Sequence, residues 1–200
     1  DFKLAGVALP AAQQTRFEVI NTRLAELSNQ FETHILDAVE AFTLHITDKQ
    51  QLAGLPEHAL LSAEERAKAA NKAGFILNLE IPCYLAVVTY ADARDLRESM
   101  YEAFVTRASD QGPHAGQFDN TPLIQEMLAL RDEKAKLLDF NSYAERSIAT
   151  KMVKTPEEVF GFIEQLIQYV KPEAKQEMQA LKAFAATSCG MTDITPWDVA

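Results

Sequence analysis

Cysteine is scarce: Cys83 and Cys189 are the only two, far apart and in no CxxC pair. That excludes a disulfide framework and points to thiols of a reduced compartment, so a cytoplasmic protein is expected. Long apolar runs are absent too. A membrane-spanning helix needs about 18 apolar residues in a row, whereas the longest run, CYLAVVTYA, has about half that and contains a threonine. No basic cluster exists, and the net charge is -10. Phosphate neutralisation needs Lys and Arg gathered on one face, so nucleic acid is not an expected partner. There is no signal-peptide pattern. Residue 1 is Asp rather than Met, which suits a piece of a longer chain or a trimmed N-terminus.

Catalytic signatures are missing as well. The chain has no HExxH, no GxSxG, no GxxxxGK[ST] and no GxGxxG. Gly112-Pro-His-Ala-Gly116 resembles a phosphate loop only superficially, since it lacks the lysine and has no flanking strand. The histidines are His34, His45, His58 and His114. On one helix, His34 and His45 would stand about 16 Å apart, too far for one metal ion with ligands at about 2 Å. His58 and His114 have no second ligand at metal spacing. The acid pairs Glu64-Glu65 and Glu157-Glu158 fall in first helical turns, where the helix dipole explains them. No catalytic or metal-binding residue is assigned, and the substrate-binding residues stay unknown.

What is abundant is helical patterning in a chain with 48% apolar residues. Phe17, Ile20, Leu24, Leu27, Phe31, Ile35, Ala38 and Phe42 recur at steps of three and four. They predict a helix from about Ala12 to Thr47, roughly 50 Å long. Ser62-Ala-Glu-Glu65 has capping-box spacing, with the helix expected to stop at Gly74. FILNLE, Phe75 to Glu80, is the best strand candidate, but one strand makes no sheet alone. Pro82 suits the first turn of a short apolar helix through Tyr90, and Asp92 can cap the next. SDQGPHAGQFDN, Ser109 to Asn120, is the clearest loop.

Thr121-Pro122 and Thr155-Pro156-Glu157-Glu158 then open two more helices. Asp132 and Lys136 can pair one turn apart. The stripe Val159, Phe162, Ile163, Leu166, Val170 runs toward Pro172, which is expected to kink or break that helix. Met178, Leu181 and Phe184 extend the pattern toward Gly190. The expected fold is all-α: a multi-helix bundle with long antiparallel helices and at most one short strand or hairpin. Its parts are residues 1–74 (long helix and helical hairpin), 75–120 (short strand, helices and loop) and 121–200 (C-terminal helices).

Several separated blocks together resemble the oligopeptidase A and thimet oligopeptidase family of zinc metallopeptidases. They are DFKLAGVALP, FEVINTRLAELSNQFETHILDA, LEIPCYLAVVTYADARDLRESMYEAFVTRAS, DNTPLIQEMLALRDEKAKLLDFNSYAERSIATKM and ITPWDVA. The most specific stretch is Asn120 to Met152, with Leu130-Arg131, Leu137-Leu138 and Asn141-Ser142-Tyr143-Ala144. Where the family has Leu-Leu-Gly-Phe, this chain has Asp139 at the left-handed helix end, a position Asp tolerates at some cost.

The resemblance implies a zinc-dependent endopeptidase that cuts short oligopeptides in a channel between helical lobes. Its metal is held by an HExxH helix and a further glutamate. None of those residues lies in this chain, so the fragment is expected to bind no zinc, to be inactive alone, and to partner the missing zinc lobe. Trp197 then reads as an interlobe anchor. A free-standing helical peptide-binding or scaffold protein is the alternative.

Overall fold

Seven α-helices and one two-stranded antiparallel sheet are found among residues 2–199, the residues described by this computed structural model. The fold is mostly α, and its residues fall into two compact units. Helix α1, Ala11–Ala41, contributes residues to both.

The first unit comprises residues 2–29 and 123–193. Here the early part of α1 lies against α5, Thr121–Leu137, and Phe17, Ile20 and Leu27 of its stripe are buried. Arg16 meets Glu133 and Arg23 meets Glu126, each at 2.6 Å. The partners step by two helical turns in opposite directions, so the helices run antiparallel and the ion pairs mark their register. Both carboxylates are held below their usual range by the arginine hydrogen bonds. Lys134 adds a hydrogen bond to Asn21. At the end of α5, Asp139 adopts φ 63°, the left-handed conformation that the family resemblance implies for this position. Short α6, Tyr143–Ile148, follows, with Ser142 as its N-cap: the Ser142 hydroxyl accepts from the Glu145 N–H.

Helix α7, Pro156–Ser188, starts as its sequence predicts, with the Thr155 hydroxyl accepting from the Glu158 N–H. It does not break at Pro172 but continues through it. The missing proline donor frees the carbonyl four residues earlier, at exposed Gln168, where water can satisfy it. Among its described residues only Ala185 is buried, while Phe160, Phe162, Ile163, Leu166, Ile167 and Val170 are exposed.

The second unit comprises residues 30–122 and 194–199. Here α1 ends at Ala41, earlier than its apolar stripe suggests, because Thr43–Ile46 forms strand β1. It pairs antiparallel with β2, Phe75–Asn78, with Leu44 opposite Leu77 and Ile46 opposite Phe75. FILN is therefore a strand as expected, and TLHI is the partner that local patterning missed. His45 consequently sits on β1 rather than on the helix with His34, and its Nε2 lies 2.7 Å from the Ala73 carbonyl.

Helix α2, Glu57–Ala69, opens after Pro56, six residues before the Ser62 capping spacing. Ser62 is inside it and donates to the His58 carbonyl. The helix also stops before Gly74, because Asn71 already takes φ 54°. Pro82 lies in the first turn of α3, Ile81–Tyr90, as expected. Asp92 does not cap the next helix, α4, Arg94–Val105; its N-cap is Ala93, without a side-chain bond. The core gathers Phe42, Leu52, Leu77, Leu79, Val87, Leu96 and Met100.

Gly74 tests how tightly the sheet is built. Its φ is +91°, and a Cβ there would stand 2.4 Å from the Ile46 carbonyl oxygen. Gly116 has φ +76° but nothing within 4 Å of a Cβ. Gly74→Ala is expected to cost about 3 kcal/mol or more, from backbone strain plus the clash, and Gly116→Ala only about 1 kcal/mol. Urea unfolding followed by circular dichroism compares the two; equal losses would contradict the close approach.

Candidate functional site

The four histidines are spread among structural roles. His34 Nδ1 lies 2.8 Å from the Asn120 side-chain oxygen, while the Asn120 amide donates to the Phe31 carbonyl at 3.1 Å. Asn120 is the one buried polar residue among the described residues, and these bonds tie the end of the 109–120 loop to α1. His114 meets Gln117 at 3.2 Å, and His58 lines a small cleft. Among the described residues, no three His, Cys, Asp or Glu side chains converge as a metal site. A zinc ion has no ligand set in these residues.

The cleft at His58 is also lined by Leu55, Arg66, Glu80, Cys83 and Val87, and its volume is about 90 Å³. The Cys83 sulfur accepts from Arg66 Nη2 and from the Asn78 N–H, both at 3.4 Å. Burial nevertheless pushes the thiol pKa up. A neutral, recessed thiol is a weak nucleophile, so this cleft has the character of packing rather than of catalysis.

The most developed polar cluster surrounds Asp198. A short 3-10 turn, Pro196–Asp198, is closed by a capping box: Asp198 accepts from the Thr195 N–H at 3.0 Å and from its hydroxyl at 2.7 Å. Two arginines of α4 converge on the same carboxylate, Arg94 at 2.8 Å and Arg97 at 3.0 Å. Positions 94 and 97 share a helix face, which is why both can reach it. Arg97 also donates to the carbonyls of Trp197 and Ala91, at 2.9 and 2.7 Å. The Asp198 side chain is 2% exposed. The Arg94 hydrogen bond, with Thr195 and Arg97, holds its carboxyl well below the usual range.

This cluster fixes Trp197. Its ring packs 5.7 Å from that of Tyr101, with the Arg94 guanidinium 6.0 Å from its centre, and its indole nitrogen is buried without a partner. Within this unit the tryptophan is thus seated on α4. Sequence reading singled out Trp197 but not the arginines. The available signal was Thr195-Pro196-Trp197-Asp198, the same cap–proline–acid spacing that opens α7.

A family model described as Peptidase family M3 matches residues 87–200, which includes α4, α5, α6, α7 and the Asp198 turn. The chain belongs to peptidase family M3. Within that family, oligopeptidase A of Salmonella typhimurium is 48% identical over 200 residues, spanning 100% of this chain and 29% of that protein. Oligopeptidase A of Escherichia coli is 46% identical over 200 residues, with the same shares. That of Haemophilus influenzae is 45% identical over 199 residues, again 100% and 29%. The chain therefore spans under a third of the length of these curated relatives. The resemblance to the oligopeptidase A family read from the sequence is borne out, with these relatives aligned over the whole chain.

The lone tryptophan reports on the cluster. Asp198→Asn is expected to remove about 2 kcal/mol of charge-assisted hydrogen bonding, loosening residues 195–199. Trp197 emission should shift to the red. In the parent sequence the depressed carboxyl contributes fully above its unfolded value of about 3.9 and loses that contribution as pH falls through its lower folded value. An acid-induced red shift present in the parent and missing from Asp198→Asn checks the assignment; identical titrations would refute it.

Proposed function

We propose that this chain is part of a zinc-dependent metalloendopeptidase that hydrolyses short oligopeptides, and that it forms part of the wall of the substrate channel. The observation that carries the reading is identity of 45–48% to three oligopeptidases A, in alignments that span the whole chain. On this reading the zinc and its ligands belong to a further lobe of the parent protein, and the 200 residues are catalytically silent by themselves. A cytoplasmic location accords with the absence of any described helix long and apolar enough to cross a membrane.

The exposed apolar face of α7 supports a partner lobe. Phe162, Ile163, Leu166 and Val170 follow helical spacing, yet all are exposed. Such a stripe normally lies against protein, and left open it favours association. The isolated chain should bind a hydrophobic dye and self-associate in sedimentation experiments. Replacing Phe162 and Leu166 together by Glu should reduce both effects several-fold while leaving the helical signal intact. Unchanged association would show that the face is not responsible.

The activity reading is tested with fluorogenic oligopeptides. The 200-residue chain supplied with zinc should give no turnover above the buffer rate. The longer parent should cleave the peptides and lose activity on chelation. Chelator-sensitive turnover by the short chain would overturn its silence. A parent that binds peptides without cutting them would favour a peptide-binding scaffold instead.

A further inference from the structure

Six arginines in this chain have acceptors. Arg16, Arg23, Arg94 and Arg97 meet carboxylates, while Arg66 and Arg107 donate to backbone carbonyls. Arg131 and Arg146 have none among the described residues. Both belong to the first unit, and both stand over the same ring: their guanidinium carbons are 5.4 and 5.5 Å from the centre of Tyr143. Arg146 Nε is buried with no hydrogen-bond partner at all.

Lys134 stands one helical turn from Arg131, with its ammonium donating to Asn21 and 5.2 Å from the centre of the Phe17 ring. Lys134 is half-buried, and its pKa is lowered by burial and then by the nearby charge of Arg146. Two i,i+3 pairs produce the gathering: Arg131 and Lys134 share a face of α5, and Tyr143 and Arg146 share a face of α6. The neighbouring carboxylates are committed elsewhere. Glu133 is held by Arg16, Asp132 pairs with Lys136 at 2.6 Å, and Glu145 accepts from the N–H and amide of Asn141. In a chain of net charge -10, Arg131 and Arg146 are two half-buried cations with no counter-charge among the described residues.

We propose that Arg131 and Arg146, gathered about Tyr143, form a binding site for a single carboxylate group. A guanidinium presents two parallel N–H donors that match the two oxygens of a carboxylate, and Arg146 Nε is such a donor left unused. The charge-paired arginines of the same unit show this chemistry already made internally: Arg16 and Arg23 each grip a glutamate through two nitrogens. The carboxylate can come from a free small acid or from the C-terminus of a peptide. The site is independent of the peptidase reading, because it is defined by binding and not by turnover.

The test is a titration of the 200-residue chain with sodium acetate at fixed ionic strength, followed by NMR of the arginine Nε–H groups. The resonances of Arg131 and Arg146 should shift and saturate while those of Arg16 and Arg23 stay in place. Arg146→Gln should weaken binding about tenfold or more. Arg146→Lys, which keeps the charge but loses the fork, should also weaken it, with circular dichroism confirming an unchanged fold. Linear, non-saturating shifts at all arginines, or a folded Arg146→Lys that titrates like the parent, would overturn the proposal.

Acetyl-trialanine with a free and with an amidated C-terminus then separates the sources. Tighter binding of the free acid than of acetate assigns a peptide terminus, and equal binding assigns a small free acid. An amide that binds as well as the acid contradicts a carboxylate site.

Discussion

The apolar stripe of α1 is the constraint from which the rest follows. A helix of 31 residues with an apolar stripe along its length is not stable in water unless other parts of the chain cover that stripe. In one unit, Phe17, Ile20 and Leu27 are covered; in the other, Ala38 and the adjoining Phe42 are. The polar flanks of the stripe then carry the specificity. Arg16 and Arg23 set the register of α5, and the carbonyl of Phe31 with the ring of His34 holds Asn120. Apolar burial supplies the drive, and a few directional bonds choose one arrangement among many.

Arginine is the recurrent device for those bonds. It staples helix to helix in the first unit, fastens the Asp198 turn to α4 in the second, and ties α2 to β2 where Arg66 donates to the Ile76 carbonyl. A planar fork fixes orientation in a way that a lysine point charge does not. This explains how a strongly acidic chain builds precise contacts from few cations. It also makes Arg131 and Arg146 stand out, since they share the geometry and lack the counterpart.

Much of the fold was legible because its signals are local. Thr155-Pro156-Glu157-Glu158 starts α7, Pro82 falls in the first turn of α3, and Asp139 takes the left-handed end of α5, each from chemistry within one turn of chain. Errors arose where a distant partner outvoted the local pattern. TLHI became a strand because FILN, about thirty residues later, offered a complete hydrogen-bond ladder. The Ser62 spacing was overridden by an earlier start at Pro56. The Asp198 cluster was half legible: its cap spacing was visible, but nothing local links it to Arg94 and Arg97 about a hundred residues earlier.

By itself, the sequence determined a mostly α chain with its main helix starts, and, through the order of its separated blocks, a resemblance to the oligopeptidase A family that the relatives bear out. Those properties depend on spacing along the chain, which a sequence displays directly. Only the tertiary structure decided that β1 would exist, that Trp197 would seat on Tyr101, and that two unpaired arginines would face one tyrosine. Each of these joins residues from different elements. Their meeting is set by how packed surfaces fit, and spacing along the chain carries no record of that fit.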